Sequence, residues 1–169
     1  MPRNIVLIGM MGCGKSTVGA LLAQRFHLTL ADTDALIEAR EGRSIPEIFA
    51  QEGEAHFRAL ELALCRELSG QSGLVIACGG GLPLQDGAIA ALKENGLVFW
   101  LDRDPGETYD GLDVSGRPLA QGGREDFLAR YAVRSPVYRR WADFIIVRPE
   151  SPQCAENRIS TIYMEVSEA

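Results

Sequence analysis

The sequence predicts an α/β fold in which a central parallel sheet of five strands carries helices on both faces. The first observation behind this prediction is that short apolar runs alternate with segments of helical period along the chain. The second is that the run at residues 5–8 is continuously apolar, which is typical of a strand buried on both faces. The third is that several runs lead into residues suited to ligand binding, namely Gly9, Asp32, Gly79 and Asp102. Ligands of open α/β sheets bind at the carboxyl ends of the strands, so we expect the functional site there.

The predicted strands are the short apolar runs themselves. They cover residues 5–8, 28–31, 74–77, 97–101 and 144–147. We find no internal repeat and no linker between them. The chain is therefore predicted to form one domain over residues 1–169.

The helices are predicted from periodicity and from capping signals. Residues 18–23, 89–92, 107–112 and 127–141 have helical patterns. Residues 44–47 have the spacing of a capping box, and a long helical pattern follows, with apolar residues at three- and four-residue intervals over 57–68. Ser151 followed by Pro152 predicts the start of a last helix.

The composition excludes several classes of protein. The net charge of −6 argues against a nucleic-acid-binding surface. No apolar run approaches the roughly 20 residues that span a bilayer, and the run after the first four residues is too short for a signal peptide, so we expect a cytoplasmic protein without membrane contact. The four cysteines, which include Cys13, lack C-x-x-C spacing, so we expect free thiols rather than a zinc site or disulfides.

A phosphate-binding loop is the strongest signal in the chain. Residues 9–16 fit the pattern G-x-x-x-x-G-K-S/T and stand between a predicted strand and a predicted helix. In such a loop the backbone N–H groups point at phosphate oxygens, the lysine reaches the β and γ phosphates, and the hydroxyl binds Mg²⁺. We therefore expect the phosphates of a nucleoside triphosphate to be bound by Gly12, Cys13, Gly14, Lys15, Ser16 and Thr17.

The loop alone leaves several nucleotide-binding classes open. A switch GTPase would need an Asn-Lys-x-Asp segment, which is absent, and a motor ATPase is normally larger. Kinases of nucleotides and metabolites remain. Asp32 is expected to hold Mg²⁺, through water, and Asp34 to meet a substrate hydroxyl. The alternative is that either aspartate only caps the next helix.

Several segments together resemble the shikimate kinases over residues 1 to about 148. These are the phosphate loop, Asp32-Thr33-Asp34, Phe57-Arg58-x-x-Glu61, Gly79-Gly80-Gly81, Arg117-Pro118-Leu119 and Arg134-Ser135-Pro136-Val137-Tyr138. The resemblance implies a three-layer P-loop kinase fold with a mobile lid near residues 111–123. It implies transfer of the γ-phosphoryl group of ATP to the 3-hydroxyl of shikimate, in aromatic amino-acid biosynthesis, by a monomer that uses one Mg²⁺ ion.

The resemblance also implies roles for individual residues. Arg58 and Arg134 would grip the carboxylate of shikimate, and Asp34 would orient the reacting hydroxyl. The backbone of Gly79, Gly80 and Gly81 would approach the ring, where a side chain would obstruct. Lys15, with Arg117 from the lid, would stabilise the transferring phosphoryl group, while Phe49, Phe57 and Glu61 would shape the pocket or hold Arg58.

Plainer interpretations remain open for these residues. The arginines at 58 and 134 could be surface residues, the three glycines a flexible loop, and the lid an ordinary surface loop. Residues 107–110 lack the arginine that many relatives have near the adenine, and Tyr109 is the alternative candidate for stacking on the adenine. The rival functions are a gluconate or nucleoside-monophosphate kinase and a nucleotide-binding module without activity.

Overall fold

A computed structural model describes residues 3–112 and 122–168 of the chain. The strands in these ranges are β1 (Asn4–Ile8), β2 (Thr29–Asp32), β3 (Leu74–Ala77), β4 (Gly96–Asp102) and β5 (Phe144–Val147). They form one five-stranded sheet in the order β2-β3-β1-β4-β5, and every neighbouring pair is parallel. The predicted sheet is confirmed, and the strand ends differ from the predicted ones by at most one residue.

The helices of the described residues alternate with these strands. They are α1 (Lys15–Phe26), α2 (Thr33–Glu41), α3 (Ile45–Glu52), α4 (Glu54–Ser69), α5 (Asp86–Glu94), α6 (Pro105–Asp110), α7 (Gly123–Trp141) and α8 (Pro152–Glu168). A short 3₁₀ helix, Leu82–Leu84, precedes α5. None of the helices that the structure describes is both long enough and apolar enough to cross a membrane.

The two faces of the sheet carry separate cores, as continuous apolar strands require. Ile5 and Leu7 of β1 face the core that contains α1 and α8, with residues such as Leu22 and Ile159. Val6 and Ile8, which alternate with them, face the larger core beneath α3, α4, α5 and α7. Since side chains of a strand point alternately to its two faces, both faces must be apolar for this pattern to be stable. The three-layer α/β fold is therefore confirmed.

Two local features differ from the simplest interpretation of the sequence. The helical pattern after Ser44 is divided into α3 and α4 at Gly53, whose φ of +85° is rarely adopted by residues with a Cβ. The capping box itself is present, since Ser44 accepts from the Glu47 backbone and Glu47 accepts from the Ser44 backbone. In addition, β2 ends at Asp32 and α2 begins at once, so Asp34 lies in the first turn of a helix.

Candidate active site

The phosphate loop leaves the carboxyl end of β1, the middle strand of the sheet. Gly14 stands immediately before α1 with a φ of +102°, a conformation that favours glycine. At the start of the loop, Gly9 passes so close to β4 that a Cβ would lie 2.8 Å from the Leu101 carbonyl oxygen. The Cys13 side chain is buried against Gly9, on the inner side of the loop. The loop therefore delivers the positive N-terminal end of α1 to the crevice, as predicted for an anion-binding site.

Lys15 is folded back over its own loop. Its Nζ donates to the carbonyl oxygens of Gly9 at 2.8 Å and Met10 at 2.7 Å, and the residue is 9% exposed. These two carbonyl groups satisfy a buried ammonium group that would otherwise be costly. The charge is thereby held at the mouth of the loop where phosphate oxygens are expected.

Asp32 serves two neighbours with its two carboxylate oxygens. Oδ1 accepts from the backbone N–H of Ala35 at 3.1 Å and so caps α2. Oδ2 accepts from the hydroxyl of Ser16 at 2.6 Å, next to the phosphate loop. The capping interpretation and the metal interpretation are therefore compatible, because they use different oxygens of the same group.

Asp34 lies inside the same crevice, in the first turn of α2, and lines the same cavity as Asp32. Burial raises the pKa of its carboxyl above the ordinary value, and the neighbouring charge of Asp32 adds to this, while Lys15 acts against it. A Cβ built on Gly79 would lie 2.5 Å from Asp34 Oδ1. Only a glycine at position 79 therefore leaves room for the carboxylate.

The glycine loop, which we define as residues 79–81, follows β3 and faces three charged side chains in succession. After Asp34 at Gly79, a Cβ at Gly80 would lie 3.3 Å from Arg134 Nη1. A Cβ at Gly81 would lie 2.5 Å from Arg58 Nη2. The loop thus brings together side chains from α2, α4 and α7 that are far apart in sequence.

Arg58 is held by a buried carboxylate and is not an ordinary surface residue. Its Nη1 donates to Glu61 Oε2 at 2.6 Å, and Glu61 is 1% exposed. The side-chain amide of Gln85 donates to the same oxygen at 2.7 Å. Burial raises the pKa of Glu61 to about 6, although the Arg58 guanidinium favours the charged form. This buried pairing argues against the interpretation of Arg58 as a solvated surface residue.

One cavity of about 660 Å³ extends from the phosphate loop to the glycine loop. Its lining includes most residues predicted from the sequence, namely Gly12, Gly14, Lys15, Ser16, Thr17, Asp32, Asp34, Gly79 and Gly80. Glu38, Ile45, Pro46 and Phe49 complete the wall that α2 and α3 provide.

Arg117 and most of the lid predicted over residues 111–123 lie outside the described residues. Tyr109, considered above for adenine, packs its ring on Phe127 at 5.6 Å between centroids.

Three further residues of the site were not assigned roles from the sequence. Thr33 accepts the backbone N–H of Gly79, Tyr138 donates to the carbonyl oxygen of Gly80, and Gln85 supports Glu61. Thr33 and Tyr138 both lie within sequence segments that carry the family resemblance, and this position was the available signal for a role in the site. Gln85 lies outside those segments, so the sequence offered no signal for its role.

The fold and the cavity together define a class of protein. A P-loop on the middle strand shares one cavity with two carboxylates, those of Asp32 and Asp34. Two arginines, Arg134 and Arg58, do not line this cavity but stand against Gly80 and Gly81 of the adjoining glycine loop. This is the arrangement of a P-loop kinase that phosphorylates a small molecule.

Comparison with known proteins names the family within that class. Residues 11–166 match the family model described as shikimate kinase. A shikimate kinase of Clostridium botulinum (strain Eklund 17B / Type B) is 40% identical over 147 residues, which cover 87% of this chain and 88% of that protein. The shikimate kinase from Acinetobacter baumannii, solved in complex with shikimate, is 32% identical with a TM-score of 0.88, and the match covers 97% of this chain and 92% of that one. The chain belongs to the shikimate kinase family, which confirms the resemblance found in the sequence.

Proposed function

We propose that this chain transfers the γ-phosphoryl group of ATP to the 3-hydroxyl of shikimate, giving shikimate 3-phosphate and ADP. The observation that carries the proposal is the row of Asp34, Arg134 and Arg58 along the glycine loop, beside the phosphate loop. One carboxylate and two guanidinium groups match an acceptor that has both hydroxyl groups and a carboxylate. The solved relative that contains shikimate supports the same acceptor.

The acceptor would be bound mainly by charge. Arg58 and Arg134 would donate to the shikimate carboxylate, since the planar guanidinium group suits bidentate contact with a carboxylate. Gly80 and Gly81 would allow the ring close to the backbone. The N–H of Gly79 already donates to Thr33 Oγ1 at 2.9 Å, so Gly79 would contribute its lack of a side chain rather than its amide.

The donor would be bound by the phosphate loop. Backbone N–H groups of residues 12–17 and the N-terminal end of α1 would surround the phosphates. Lys15 would exchange its present carbonyl partners, on Gly9 and Met10, for phosphate oxygens. Arg117 is proposed from the family resemblance to bring a further positive charge to the phosphoryl group.

Ser16 and Asp32 fit a magnesium ion bound with ATP. Mg²⁺ prefers oxygen ligands, and the hydroxyl and carboxylate oxygens stand 2.6 Å apart beside the phosphate loop. When bound, the ion would neutralise part of the charge on the phosphate oxygens. Ser16 would offer its hydroxyl, and Asp32 would act through water, keeping its other oxygen on the Ala35 N–H.

In the proposed reaction the shikimate 3-oxygen forms a bond to the γ-phosphorus while the bond to the ADP oxygen breaks. Asp34 would orient the hydroxyl and take its proton, and its raised pKa makes it a stronger base than an ordinary aspartate. Lys15 and Arg117 would stabilise the charge on the phosphoryl oxygens. The family resemblance implies a monomer, so we propose a monomer as the catalytic unit, which light scattering of the active enzyme would check.

The test is release of ADP by the purified protein with ATP and Mg²⁺. Shikimate should support turnover, whereas gluconate and nucleoside monophosphates should not exceed the rate without acceptor. ³¹P NMR of the product should identify a phosphate ester on the 3-hydroxyl. Turnover with gluconate or a nucleoside monophosphate but not with shikimate would contradict the proposal.

A further inference from the structure

The glycine loop must hold its position closely if it is to align three charged side chains. Its amino-terminal side continues the sheet, because the N–H of Cys78 donates to the Leu7 carbonyl oxygen at 3.0 Å. On the other side, the 3₁₀ helix uses two carbonyl groups of the loop, those of Gly79 and Gly81. The N–H of Gly79 and the carbonyl group of Gly80 are held by neither the sheet nor the 3₁₀ helix, and side chains bind them instead.

Thr33 holds the first peptide group of the loop. Its Oγ1 accepts the N–H of Gly79 at 2.9 Å, in a buried contact between residues 46 apart in sequence. Thr33 is fully buried and stands between Asp32 and Asp34. The contact therefore ties the loop directly to the turn that carries both carboxylates.

Tyr138 holds the loop from the opposite side. Its hydroxyl donates to the Gly80 carbonyl oxygen at 2.6 Å and lies 3.7 Å from the sulfur of Met10 in the phosphate loop. The residue is fully buried, and its ring packs on Trp100. Tyr138 is one helical turn after Arg134 on α7, and burial raises the pKa of its hydroxyl to about 12 against the charge of Arg134. The hydroxyl is therefore protonated at neutral pH and remains a donor to Gly80.

We propose that Thr33 and Tyr138 are positioning residues of the acceptor site. Among the described residues, theirs are the two side chains that hydrogen-bond to the backbone of the glycine loop. Thr33 sets the distance between the loop and Asp34, and Tyr138 sets the distance between the loop and Arg134. Their role in acceptor binding rests on the proposed function, while their effect on the loop itself does not.

Thr33→Val tests the first contact, because valine has nearly the shape of threonine but cannot accept a hydrogen bond. We expect the KM for shikimate to rise about 10-fold, as for the loss of one hydrogen bond, with the KM for ATP within about 2-fold of wild type. Thr33→Ser keeps the hydroxyl and should restore the KM for shikimate. Equal increases in both KM values would overturn a specific positioning role for Thr33.

Tyr138→Phe tests the second contact and keeps the ring on Trp100. We expect about a 10-fold increase in the KM for shikimate and an unchanged KM for ATP. The matched control is Tyr163→Phe on α8, which removes another buried tyrosine hydroxyl, one that donates to the Arg3 carbonyl oxygen at 2.7 Å. This control should leave both KM values unchanged. A Tyr138→Phe enzyme with the same KM values as the control would overturn the role of Tyr138.

A measurement without turnover separates this proposal from the proposed function. Hydrogen exchange of the Gly79 amide, followed by NMR in the free protein, should be faster in Thr33→Val than in Thr33→Ser and wild type. Unchanged exchange in Thr33→Val would overturn the loop contact. A wild-type protein that fails to phosphorylate shikimate would instead contradict the proposed function and leave this result intact.

Discussion

The carboxylate of Asp34 lies directly against Gly79, where an added Cβ would be 2.5 Å from Oδ1. Gly79 is buried and its φ is outside the left-handed region, so the requirement for glycine comes from this contact rather than from the backbone. Asp34 would have to move if position 79 carried any side chain. The two positions therefore depend on each other.

Gly79→Ala is expected to displace Asp34 and lower kcat at least about 10-fold, because the reacting hydroxyl loses its aligned partner. Steady-state kinetics with shikimate and ATP would measure this. The matched control is Gly87→Ala on α5, where the added methyl group would make an ordinary 3.5 Å contact with Leu62. The control should retain kcat and gain up to about 1 kcal/mol in the free energy of unfolding. Equal kcat values for the two variants would contradict the steric argument.

Asp34→Asn should leave ATP binding intact while kcat falls at least about 100-fold, because the amide cannot accept the proton of the hydroxyl. Calorimetric titration with a non-hydrolysable ATP analogue and single-turnover kinetics would separate the two effects. Glu38→Gln removes another charge from the same cavity and should lower kcat far less. Near-normal turnover of Asp34→Asn would show that Asp34 is not the partner of the hydroxyl.

Arg134→Ala should raise the KM for shikimate at least about 10-fold, with a much smaller change in the KM for ATP, because a charge-assisted contact to the carboxylate is lost. Arg134→Lys should recover only part of the affinity for shikimate, since an ammonium group cannot make a bidentate contact with the carboxylate. Arg140→Ala, on the same helix, is the control, because Arg140 is exposed and pairs with the exposed Asp86. A larger increase in the KM for ATP than in the KM for shikimate would show that Arg134 does not bind the shikimate carboxylate.

The pair of Arg58 and Glu61 predicts a pH dependence of acceptor binding. Burial raises the pKa of Glu61 to about 6, so below that pH the carboxyl is neutral and holds Arg58 less firmly. The KM for shikimate should therefore rise as the pH falls through about 6. In Glu61→Gln the KM should be high at every pH and this inflection should be lost, which initial-rate measurements between pH 5 and about 8 would detect.

The same carboxyl group has the opposite effect on stability, since the folded protein becomes less stable as the pH rises whereas acceptor binding becomes stronger. Its pKa is higher in the folded protein than its ordinary value of 4.5, so the folded state holds the proton more tightly. The contribution of Glu61 to the free energy of unfolding is thus fully present below the ordinary value and falls by about 2 kcal/mol as the pH rises through about 6. Urea unfolding of wild type and Glu61→Gln across this range should show the difference. A constant difference would contradict the raised pKa.

The fold could be predicted because its three inner strands, β1, β3 and β4, are buried on both faces. The run from Ile5 to Ile8 contributes to both cores, so its sequence has no polar alternation that could suggest another structure. The phosphate loop and the position of Asp32 could also be predicted, since their spacing follows from local backbone geometry. The order of the strands could not be predicted, because a continuous apolar run does not specify which strands lie beside it.

The contacts across the site depend on that order. Thr33 meets Gly79 only because β2 pairs with β3. Tyr138 meets Gly80 only because α7 packs against β4 and the 3₁₀ helix that follows the glycine loop. Similarly, the spacing of Arg58 and Glu61 predicts an ion pair on one helix face, but not that Glu61 is buried beneath Gln85. These relationships belong to tertiary structure, and no local pattern encodes them.

The order β2-β3-β1 also determines the dimensions of the site. The phosphate loop leaves β1, the glycine loop leaves the adjacent β3, and the two aspartates follow β2, which is one strand further. Neighbouring strands lie about 4.8 Å apart because backbone hydrogen bonds set that spacing. The distances between the phosphate loop, the glycine loop and the two aspartates are therefore set by the backbone of the sheet. Substitutions of side chains can change what the crevice holds, but they leave its width nearly constant.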